Sequence, residues 1–147
     1  MRQIFRYTAA LFALVVALAA CGSSPYKGLT KAEFLRRSNE SCTHPTKDAL
    51  AVRDLFKVQL LPDRKAKLYL EKILPLFDSE VDRIAKLKPP KADRARVKKI
   101  LDQARDDAKK FAADLKDDPV AALSPKVHPF QKSSDLATAY GLKICAD

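Results

Sequence analysis

The residues best suited by type to covalent chemistry are Ser41, Cys42, Thr43 and His44, a thiol and two hydroxyls beside an imidazole. A nucleophile next to a base is a common means of activation. Neighbours in sequence do not face one another on a helix, however. The other histidine, His128, stands between Val127 and Pro129 without an acidic neighbour. With His44 it could contribute to a metal site only by long-range coincidence, since such a site would need further ligands. Carboxylates gather at Asp78, Glu80 and Asp82, at Asp106-Asp107 and at Asp117-Asp118. They lie among cations: Asp102 with Arg105 and Asp106 with Lys110 have the spacing of solvated helical ion pairs worth about 0.2–0.5 kcal/mol. Gly22, Gly28 and Gly141 are too scattered for a glycine-rich phosphate loop. No catalytic residue, metal or cofactor is assigned, and the expectation is a protein without enzymatic activity.

Cys21 has a different setting. The chain opens Met1-Arg2-Gln3-Ile4-Phe5-Arg6, followed by an apolar run over residues 9–20 and then Cys21-Gly22-Ser23-Ser24. A positive start, a short apolar stretch and a small-residue exit are the layout of a secretory signal peptide. The run falls short of the roughly 20 residues that a spanning helix needs. Leu18-Ala19-Ala20-Cys21 resembles the lipobox of bacterial lipoproteins. That resemblance implies a diacylglycerol on the Cys21 thiol, cleavage of residues 1–20, and a mature chain held at the extracytoplasmic face of the cell membrane. An ordinary secreted protein with an incidental Cys21 is the alternative. Two or more acyl chains anchor a protein stably where one holds only reversibly. Residues 21–29 then read as lipidated cysteine and flexible tether, and 30–147 as a single helical domain.

An exported chain with two further cysteines, Cys42 and Cys145, usually joins them. Closing so long a loop would stabilise the domain by roughly 4–5 kcal/mol in the chain-entropy model. Free thiols and a metal site are the poorer alternatives.

These residues must be positioned by helices, since no strand-like alternation of useful length occurs. Thr30-Lys31-Ala32-Glu33 has the form of a capping box. It opens a helix carrying Phe34, Leu35 and Cys42 towards the core, which Pro45 would interrupt. A loosely amphipathic segment covers residues 46–60. Pro62 suits a first helical turn, and Ala66, Leu70, Ile73, Phe77, Val81 and Ile84 form one apolar stripe with Pro75 predicting a kink inside it. After Pro89-Pro90, a helix over residues 92–115 places Val97, Leu101, Ala104, Ala108, Phe111 and Leu115 on one face. The two stripes make an antiparallel hairpin. Residues 118–129 hold at most a short turn of helix, and a last helix over 130–140, ended by Gly141, completes an all-α, disulfide-stapled bundle of four or five helices.

Thr30 to Phe34 with nearby Cys42, Leu87-Lys88-Pro89-Pro90, and Tyr140-Gly141-Leu142 leading to Cys145 together resemble a family of small exported actinobacterial proteins and lipoproteins. The resemblance implies the helical fold and the disulfide, and no activity. Pro45 and Ala146 depart from its pattern.

The chain carries 28 lysines and arginines against 18 acids. The excess is concentrated in Arg83, Lys86, Lys88, Lys91, Arg94, Arg96, Lys98 and Lys99, opposed within that stretch only by Asp93. Such a basic pole on a tethered domain points to anionic lipid headgroups or acidic envelope polymers. A merely well-hydrated helix end is the plainer reading. Nucleic acid is a poor partner, because the stretch has no aromatic residue for base stacking. The function expected is a non-enzymatic binding or scaffold module of the cell envelope. The alternative, suggested by Pro45 and Pro75, is a carrier of a lipid or other apolar ligand between kinked helices.

Overall fold

The computed structural model describes residues 28–43 and 60–142, with side chains for 28–40 and 60–142. Every regular element among them is helical. In chain order these are α1 (Lys31–Thr43), α2 (Pro62–Leu68), a π turn (Tyr69–Ile73), α3 (Leu74–Lys86), a 3-10 turn (Lys91–Asp93), α4 (Arg94–Asp117), α5 (Pro119–Ala122) and α6 (Gln131–Tyr140). Cys21, His44, Pro45, Cys145, the segment 46–59 and the side chains of Ser41, Cys42 and Thr43 lie outside the described residues. The disulfide expectation falls on them.

Thr30 caps α1 through its Oγ1, which accepts from the Glu33 amide at 3.2 Å. The return half of the capping box does not form, because Arg36 and Arg37 take the Glu33 carboxylate at 2.8 and 2.6 Å. Pro62 occupies the first turn of α2, where its missing N–H costs nothing.

Pro75 is absorbed without breaking the rod. Proline removes one amide and crowds the carbonyl four residues earlier. The turn before it widens instead, and the Leu74 amide donates to the Tyr69 carbonyl across a π turn. The extra residue brings Leu74 into the core beside the expected stripe, in which Ala66 and Val81 are buried and Leu70, Ile73, Phe77 and Ile84 are half-buried.

In α4 the six expected stripe residues are all buried, joined by Ile100 and by Asp107. The helix begins at Arg94, since residues 91–93 wind as a 3-10 turn after Pro90. Two apolar clusters line α4. One gathers Phe34, Val81, Val97, Leu101, Ala137 and Tyr140; the other gathers Ala66, Leu74, Phe111, Leu115 and Ala122. Phe77 packs against both and makes the core continuous. Antiparallel packing of α3 on α4 is closed on its outer side by Arg105, whose guanidinium donates to Asp82 at 2.9 Å.

The C-terminal elements are set by their ends. Asp118 Oδ1 accepts from the Ala121 amide at 2.9 Å and starts α5. Gly141 has φ 97°, and the Gly141 and Leu142 amides return to the Thr138 and Ala137 carbonyls at 3.0 Å. This is the helix-ending pattern that favours glycine.

Candidate functional site

The basic stretch folds into one end of the molecule. Arg83 and Lys86 close α3, Leu87 to Pro90 form the extended turn, and Lys91 to Lys99 cover the 3-10 turn and the opening of α4. Leu87 and Pro90 hold ψ near 143°, so the chain cannot continue as a helix between them. All eight cations are exposed.

They are not equivalent. Arg83 bridges to Glu80 at 2.6 Å and Lys98 to Asp102 at 2.5 Å. Arg96 donates to the Ala139 carbonyl at 2.9 Å and lies 5.4 Å from the centre of the Tyr140 ring. Lys86, Lys88, Lys91 and Lys99 project from the turn and the flanking helix ends. The lone acid of the stretch, Asp93, is half-buried and accepts from the Tyr140 hydroxyl at 3.0 Å.

Tyr140 therefore ties the last helix to the basic end. Burial, and after it the hydrogen bond to Asp93, pushes its hydroxyl up to about 12. Lys31, which sequence reasoning did not include, joins the same end with its ammonium 4.7 Å from the Tyr140 ring centre. No local signal marks that contact, because it depends on α1 and α6 meeting in space. Leu29 completes the assembly. Its amide donates to the Lys88 carbonyl at 2.8 Å, and its side chain packs on the first core cluster. The expected tether is thus already packed at its last residue.

The other candidates separate. His128 is exposed, and among the described residues no group of three histidine, cysteine or acidic side chains could hold a metal ion. Glu33 is held down at about 2 by hydrogen bonds from Arg36 and then Arg37, as part of a surface network. Lys110 pairs with Asp114 at 2.6 Å rather than with Asp106, whereas Arg105 does reach Asp102, at 3.8 Å.

Asp107 departs from the expected solvated pair. It is buried, accepting from Gln103 at 2.8 Å and from the Ser133 amide at 3.0 Å. Its carboxylate caps the first turn of α6, which has no cap from its own N-terminal residue.

An open groove of about 360 Å³ runs beside α3 and α4 and is lined by Leu74 and Ala108 together with Asp78, Asp82, Arg105 and Lys109. Its charged walls suit it poorly to an apolar ligand. A smaller groove of about 200 Å³ lies among Tyr69, Phe111, Leu123 and Phe130. No helix among the described residues is long and apolar enough to cross a membrane. Comparison with known protein families, with curated proteins and with solved structures finds no match to this chain.

Proposed function

We propose that this chain is an extracytoplasmic lipoprotein, anchored through acylated Cys21, whose helical domain acts as a non-enzymatic binding or scaffold module at the cell membrane. The sequence Leu18-Ala19-Ala20-Cys21 supports the anchor. The observation that carries the binding reading is the set of exposed lysines at 86, 88, 91 and 99, which crowd one end of the domain. Long-range attraction to polyanions follows from such a pole and weakens with salt.

The experiment is intact-mass analysis of the full chain made in a bacterial host fed an alkyne-bearing fatty acid. The expected product starts at Cys21, carries the fatty label and fractionates with membranes. Cys21→Ser should lose the label and the cleavage. A labelled, membrane-bound Cys21→Ser protein, or an unlabelled wild type cleaved elsewhere, would overturn the anchoring.

A further inference from the structure

We propose that the basic end is the membrane-facing surface of the domain, docking on anionic phospholipid headgroups in an orientation set by where the chain enters the fold. The inference deepens the anchored-module reading and takes the anchor at Cys21 from it.

The point of entry is the first argument. Leu29 is bonded to the Lys88 carbonyl at 2.8 Å and packed on the core, so the chain preceding it leaves beside the basic turn. Between Cys21 and Gly28 the chain can span at most about 25 Å. An acyl group on Cys21 therefore keeps Lys88 within that reach of the bilayer. Had the chain entered near α5, the 24 residues of α4 would separate the anchor from the lysines by about 36 Å.

The chemistry of the surface is the second. Arg83, Arg96 and Lys98 are committed to internal partners, while Lys86, Lys88, Lys91 and Lys99 face outward. Lysine is a compact, strongly hydrated point charge, suited to a diffuse layer of headgroups rather than to one bidentate site. Lys99 lies about 8 Å along α4 from Arg94, comparable with the screening length of about 8 Å at physiological salt. Lys86, Lys88 and Lys91 stand at or beside the turn that precedes Arg94, so the four charges belong to the same end of the domain. Pro89 and Pro90 are half-buried in the turn. The contact is accordingly electrostatic, without an inserted apolar wedge. Each lysine near an anionic surface contributes about fivefold in partitioning, so removing all four should weaken docking at least about a hundredfold.

The chain contains no tryptophan, so one introduced residue is the sole reporter. Full chain carrying Ala92→Trp at the basic end, or Val120→Trp at the far end, is extracted from bacterial membranes and reconstituted into phosphatidylcholine vesicles. Phosphatidylglycerol is present or absent, and a headgroup-spin-labelled lipid serves as quencher. Ala92→Trp should be quenched several-fold more when phosphatidylglycerol is present, Val120→Trp should not respond, and high salt should reverse the effect. Adding Lys86→Gln, Lys88→Gln, Lys91→Gln and Lys99→Gln should abolish it with helical circular dichroism unchanged.

Equal quenching of both reporters, or quenching indifferent to phosphatidylglycerol, in protein whose mass shows an acylated Cys21 would overturn the docking and leave the anchor standing. An unacylated mass would instead defeat the anchor, while charge-dependent quenching of Ala92→Trp alone would still uphold the docking surface. A soluble poly(glycerol phosphate) that strips the Ala92→Trp signal at equal phosphate would make an acidic polymer the partner and overturn the proposal.

Discussion

Asp107 carries more structure than its setting in Arg105-Asp106-Asp107 suggests. Its carboxylate is buried, and it satisfies the Ser133 amide at the start of α6. Leaving a buried donor unpaired costs about 1–3 kcal/mol. Asp107→Ala should therefore destabilise the domain by about that amount in urea unfolding, and Asp107→Asn by less, since its amide oxygen can still accept. Equal losses for both variants would mean that one acceptor oxygen is not enough, and that the oxygen facing Gln103 is needed as well as the one facing Ser133. Tyr140 offers a titration instead. Its folded pKa lies near 12, above the ordinary value of about 10. Stability from the neutral phenol is thus complete below about pH 10 and is lost as pH rises through about 12. Tyrosinate absorbance should show a component titrating near pH 12 that Tyr140→Phe removes.

At the level of elements, helix ends and apolar spacing were legible because both depend on neighbours within a turn or two. The Thr30 cap, the Pro62 start and the Gly141 stop all occur where the residues indicate. The stripe of α4 is buried as its spacing of three and four predicts. The π turn was not legible, since a proline can kink, end or widen a helix and packing of the flanking turns selects among these. Gly141 tests the element ends directly. At φ 97° an added Cβ would meet Leu35 at 3.4 Å, which a flexible leucine can accommodate, so backbone strain dominates. Gly141→Ala should cost about 1–2 kcal/mol in thermal or urea unfolding. A neutral substitution would show that the helix can end differently.

The whole molecule brings together what is distant in the chain. Lys31, Asp93, Arg96 and Tyr140 meet at one end because α1, α4 and α6 share a core built on Phe34, Val97 and Ala137. Joining Cys42 to Cys145 would staple the first of these helices to the segment after the last. Intact mass of the oxidised chain should be about two daltons below that of the reduced chain, with reduction lowering stability by about 2–5 kcal/mol. An unchanged mass would leave the helix contacts to hold the ends alone. The sequence by itself determined the helical class, the positions of most helix ends, the apolar faces and the concentration of positive charge, because each is a property of residues within a few positions of one another. Only the tertiary structure decided that Asp107 caps a helix 26 residues away, that Asp93 is occupied by Tyr140, and that the chain enters beside Lys88. Those pairings follow from how the helix faces pack, and no local spacing encodes which faces meet.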